Sequence, residues 1–115
     1  MAKDDYHVIV YQILSYLYQC LKKGIPVKGS NLSYEESKFF NINKGYWSYI
    51  MVNMHRAGWI EGITLTRAWG EEYPIISDLD SCRITPEGIE YLCDKSFMEK
   101  AKQFLKDVKE ITPFV

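Results

Sequence analysis

Three cysteines and two histidines are all the thiol and imidazole chemistry in this 115-residue chain. Cys20, Cys82 and Cys93 are odd in number, widely spaced and contain no C-x-x-C. That excludes a disulfide framework or a zinc knuckle written in the sequence, and inert buried thiols are the expectation, with one disulfide as the alternative. His7 and His55 have no cysteine or acid at ligand spacing, so a zinc site would need His55 to meet Cys82 or Cys93 through the fold alone. No metal and no cofactor is expected. The chain also lacks G-x-G-x-x-G, a Walker sequence and G-x-S-x-G. Gly62, Gly70 and Gly88 are isolated and read as turn or strand-bend glycines, and Glu71-Glu72 reads as a solvated loop. With no convergent set of nucleophile, base or paired carboxylates, the chain is expected not to be an enzyme.

Long apolar runs are missing too. The longest uncharged stretch, Tyr6 to Leu21, is sixteen residues and holds His7, Gln12, Ser15 and Gln19. A bilayer span needs about 20 apolar residues. Asp4 and Asp5 stand where a signal peptide carries positive charge, so the expectation is a cytoplasmic protein with no membrane contact. Charge of either sign is not in excess overall: 14 Lys+Arg against 15 Asp+Glu give −1. It is unevenly spread, however, at +3 over residues 1–58, −6 over 59–94 and +2 over 95–115.

What is present is ordinary globular composition, 47% hydrophobic and 25% charged, with a surplus of aromatics: nine Tyr, five Phe and three Trp. The length suits one domain of about 100–150 residues. Ile9, Val10, Ile13, Leu14, Leu17 and Leu21 form a helical stripe over about 4–23, which Gly24 stops. Ser33 and Glu36 form a capping box, predicting a short second helix to about Phe40. Asn43 is the next N-cap, and a third helix runs from about Lys44 to Ala57, with Gly58 past its end. Residues 59–66 turn β-branched, 81–84 read as the returning strand, and Thr85-Pro86-Glu87 opens a fourth helix with Ile89, Leu92 and Cys93 on its buried side. A last helix carries Phe97, Ala101, Phe104, Leu105, Val108 and Ile111 on one face, and is expected to pack on Tyr11, Leu14 and Tyr18 or to form a two-fold dimer.

The order α-α-α-β-β-α-α is that of a mostly helical α+β fold, a winged helix-turn-helix with a two-stranded wing and an extra C-terminal helix. Residues 1–115 are read as a single winged-helix domain: helix-turn-helix at about 33–57, wing at about 59–84, C-terminal helices at about 86–111. Two segments carry a family likeness. Met54, Gly58, Trp59 and Ile60 resemble the exit of a winged-helix recognition helix, and Ile84-Thr85-Pro86-Glu87-Gly88-Ile89-Glu90-Tyr91-Leu92 resembles the segment after the wing. With Gly45-Tyr46-Trp47-Ser48 and Glu71-Glu72-Tyr73-Pro74, the chain is similar to the YjcQ-like family, small winged-helix proteins of Gram-positive bacteria and their phages. The resemblance implies the fold and leaves the activity open.

A winged helix that binds double-stranded DNA places its third helix in the major groove. Trp47, Ile50, Met51 and Met54 are expected inside, leaving Lys44, Ser48, Tyr49, Asn53 and Arg56 outside, with Lys28 and Lys38 available for phosphates. These seven are the candidate DNA-binding residues of a regulator, for which the family resemblance implies a phage origin. The alternative is a protein–protein interaction module on the same scaffold: Glu71 and Glu72 would repel the DNA backbone, and exposed tyrosines suit a protein interface.

Overall fold

The computed structural model describes residues 5–67, 69–70 and 72–94. Helix α1 spans Tyr6–Lys23 and is buried nearly all round over its first three turns: Val8, Ile9, Val10, Gln12, Ile13, Leu14, Ser15 and Leu17 are all inside. A helix apolar on every side belongs in the middle of a core. Here α1 touches helix α2 (Lys44–Arg56), helix α3 (Pro86–Leu92) and strand β4 (Arg83–Ile84). Gly24, at φ 67°, closes α1, and the Gly24 and Ile25 amides return to Leu21 and Cys20.

The capping box at Ser33 does not start a helix. Residues 34–36 form only turns, and Ser33 Oγ accepts from the Glu35 amide two residues on (3.3 Å) rather than from an N3 amide. The helical turn in this region comes earlier, as a single 3-10 turn at Gly29–Leu32. Isolated short helices are marginal without packing, and Ser37 and Phe39 take up a second local turn, with Ser37 Oγ accepting from the Phe39 amide (3.0 Å). The connection keeps its place against α2 because Trp47 Nε1 donates to the Leu32 carbonyl (2.7 Å).

Helix α2 forms where the sequence predicts the third helix. Asn43 caps it by accepting from the Tyr46 amide (2.9 Å). Trp47, Ile50, Met51 and Met54 are buried, and Gly58, with φ 78°, takes the chain out towards the wing.

The wing is a hairpin broken into two antiparallel ladders. Strand β1 (Ile60–Glu61) pairs with β4, Ile60 opposite Ile84; β2 (Thr64–Thr66) pairs with β3 (Ile75–Ser77), Leu65 opposite Ile76. Gly62 makes the break, at φ 94°, with the Ser81 carbonyl lying where a Cβ would stand. Opposite it the returning chain bulges into a 3-10 turn, Leu79–Ser81. The sequence pattern shows β4 but not β3, because Ile75-Ile76-Ser77 is only three residues long and follows directly on Pro74.

Helix α3 is capped by Thr85, which accepts from the Gly88 amide (3.0 Å) and donates to the Gly58 carbonyl, locking the exits of wing and α2 together. Gly88 faces the Trp59 carbonyl too closely for any Cβ. Leu92 is buried and Ile89 half-buried, but Cys93 is exposed: α3 ends at Leu92, and Cys93 turns off its inner face as the cap residue. The architecture is α+β, mostly helical and winged-helix-like with a two-stranded wing, its second helix reduced to a 3-10 turn. The expected last helix and its dimer lie outside the described residues.

Candidate nucleic-acid interface

The seven residues picked from the sequence separate into two groups. The backbone at Lys28 and the ring of Phe39, the residue after Lys38, both meet Tyr16 of α1. The Lys28 amide donates to the Tyr16 hydroxyl (2.9 Å), and Phe39, next to Lys38, stands 5.4 Å from the Tyr16 ring. Both lysines are exposed. Beside Lys28, the Gly29 amide donates to Asp80 Oδ1 (2.5 Å), so an acid from the wing region already lies next to this group.

The other five lie on α2. Lys44 and Arg56, at its two ends, are exposed, and Tyr49 in between is 61% exposed. Asn53 is half-buried, and its Nδ2 donates to the Tyr49 carbonyl one turn earlier (2.8 Å), which occupies part of the amide that would read a base. Ser48 is a correction. It is 1% exposed, and its hydroxyl has no hydrogen-bond partner among the described residues, so it is not on the outer face. Ser48 precedes Met51 by three residues and follows it into the core, since residues three apart share a helix side. The outer stripe is therefore Tyr49, Val52 and Arg56, with Lys44 at the start.

Tyr49 does not stand alone. Its ring lies 6.2 Å from that of Tyr6, edge to face, which fixes it against the first turn of α1. Burial, and then the neighbouring Tyr49, holds the Tyr6 hydroxyl above its ordinary pKa. Tyr6 also meets His7 at 5.5 Å, His7 Nδ1 lies 3.0 Å from the Tyr91 hydroxyl, and Tyr91 stacks on Trp59 at 3.9 Å. Burial, then Tyr6 and Asp94, pushes the Tyr91 hydroxyl up to about 12. This aromatic chain links α1, α2, α3 and the start of the wing. The tyrosine surplus was its signal in the sequence, but no spacing rule pairs residues as remote as His7 and Tyr91.

Electrostatically the two faces differ. Helix α2 contains no acidic residue, whereas the wing and its return carry Glu61, Glu72, Asp78 and Asp80, all exposed. Of the two arginines there, Arg83 is paired with Glu61 at 3.5 Å, and Arg67 is exposed. Trp69, near the wing tip, is fully exposed. No helix among the described residues is long and apolar enough to cross a membrane, and no cluster of three or more His, Cys, Asp or Glu is placed to hold a metal.

Comparison with known proteins sets the fold in a family. No curated protein and no solved structure matches the chain. A family model described as YjcQ protein matches residues 11–111, which takes in the whole wing and, among the described residues, helices α1 to α3 apart from the first five residues of α1. On that match, the chain belongs to the YjcQ family.

Proposed function

We propose that this chain binds double-stranded DNA through α2, as a winged-helix regulator with its wing held away from the duplex. The observation that carries the reading is the charge of α2: an acid-free helix, cationic at both ends, on a chain of net −1. Lys44 and Arg56 are twelve residues apart, about 18 Å of helix rise. That exceeds the roughly 12 Å width of the major groove, so each end meets a phosphate backbone while Tyr49, Val52 and Asn53 face the bases. Three considerations set the affinity low: few cations, an Asn53 amide partly engaged, and acids on the wing.

The test is fluorescence anisotropy with random-sequence duplexes over a salt series. Log affinity falls with log salt at a slope of about −4 or shallower, as for about four phosphate contacts. Lys44→Ala and Arg56→Ala each weaken binding across all sequences, and Asn53→Ala relaxes preference at one position. Binding that ignores salt, or survives both cation substitutions, refutes the reading.

A second reading, protein–protein interaction, has its own support in Trp69, Tyr73 and Ile75, three exposed large side chains on the acidic wing. It predicts that Trp69→Ala leaves DNA binding intact and abolishes capture of a protein partner.

A further inference from the structure

A cavity of about 310 Å³ opens where the wing passes the start of α2. Its lining includes Tyr34 and Glu35 from the loop before the helix, Lys44 and Trp47 from α2, and Tyr73 and Ile76 from the wing. The walls are built rather than incidental. The Tyr34 ring lies 5.2 Å from that of Trp47, whose own nitrogen is tied to Leu32. Tyr73 is pressed against the first turn of α2 at Gly45, where a Cβ would meet the phenol ring. Two opposite charges share this space. Glu35 is hydrogen-bonded with the Tyr34 hydroxyl, which raises the tyrosine's pKa. Among the described residues neither Glu35 nor Lys44 is in an ion pair, and both side chains are exposed and long enough to turn inward.

This lining selects its ligand by elimination. A net anion is repelled by Glu35 and a net cation by Lys44, and a wholly apolar molecule gains nothing from either charge. A zwitterion with an apolar or aromatic group satisfies all three parts of the wall. The volume is at the lower end of the roughly 300–1,000 Å³ of small-molecule sites, enough for one such molecule and too small for a peptide. We infer that this cavity binds a free amino acid with an aromatic or large aliphatic side chain: the α-amino group on Glu35, the α-carboxylate on Lys44, the side chain against the wall formed by Tyr34, Trp47 and Ile76. The inference goes beyond the DNA reading and stands without it.

The experiment is a titration of the full chain with L-phenylalanine, N-acetyl-L-phenylalanine and L-phenylalaninamide, followed by amide NMR shifts. L-phenylalanine saturates a site that shifts Glu35, Gly45, the Trp47 indole and Ile76 together. Each blocked derivative binds about threefold to fivefold more weakly, as the loss of one solvent-exposed ion pair predicts. Glu35→Gln equalises L-phenylalanine with its N-acetyl derivative, and Lys44→Gln equalises it with the amide. Both variants are surface changes, and their unperturbed spectra away from the cavity show that they fold. No saturable binding at about 10 mM, or discrimination that persists in both variants, overturns the inference. DNA titrations are read separately, so failure here leaves the DNA result untouched, and the reverse.

Discussion

At the scale of single residues, burial decides chemistry. Cys82 is wholly buried, and burial pushes its thiol up to about 12, whereas Cys93 is exposed and Cys20 is 3% exposed. The thiolate is the reactive form, so one thiol, Cys93, reacts promptly with a disulfide reagent in native protein, and all three react in denaturant. Rapid titration of two or more thiols without denaturant contradicts the packing of α1 against β4. Ser48 and Gln12 present the opposite situation. Both are buried with side-chain polar atoms that find no partner among the described residues, which costs about 1–3 kcal/mol for each group. Ser48→Ala therefore leaves stability unchanged or raises it by up to about 1 kcal/mol in chemical denaturation. Because Ser48 faces the core, the same substitution leaves DNA affinity unaltered; a loss of binding would return Ser48 to the interface.

At the scale of elements, the break in the wing is the most constrained feature. Gly62 combines φ 94° with the Ser81 carbonyl where a Cβ would stand, so Gly62→Ala meets both a backbone penalty and a clash. It should cost about 2 kcal/mol or more, read as a lower denaturation midpoint with an unchanged slope. Helix α2 depends on its core side in the same way. Met54 is 0% exposed, and Met54→Ala should cost roughly 2–5 kcal/mol.

At the scale of the molecule, two linked groups shape alkaline stability. The folded state holds Cys82 and Tyr91 protonated, both up to about 12, from ordinary values of 9.0 and 10.0. Unfolding lets both ionise earlier, so above pH 9 the unfolded chain binds fewer protons than the native one. The slope of stability with pH is then negative. This contribution is complete below pH 9 and is lost progressively up to about pH 12. Melting curves taken over that range fall, and Cys82→Ala flattens the part that begins at pH 9. The charge map also acts at this scale. Neutralising Glu71 and Glu72 removes repulsion from a duplex approaching α2, so DNA affinity rises or stays level. A loss would place the wing on the DNA and refute the proposed orientation.

The sequence alone determined the parts of this protein that depend on near neighbours. The caps at Asn43 and Thr85, the stops at Gly24 and Gly58, and the inner stripe of α2 are each set by residues within about one helical turn, and each is where the pattern puts it. The same locality explains the misses. Ser33 and Glu36 form a valid capping pattern, but Tyr34 packs on Trp47 and Phe39 on Tyr16 from a chain of turns, and the turn at Gly29–Leu32 exists because Asp80 and Trp47, both distant in the chain, bond to it. Strand β3 needed β2 opposite it to be a strand at all. The side of α2 to which Ser48 belongs, the contacts of Lys28 and Phe39 with Tyr16, and the meeting of Glu35, Lys44 and Tyr73 around one cavity were decided only by tertiary structure. Caps and stripes are short-range and recur with fixed spacing. Sites assembled across a wing and two loops have no spacing to read, because the chain between their members is free to vary in length and course.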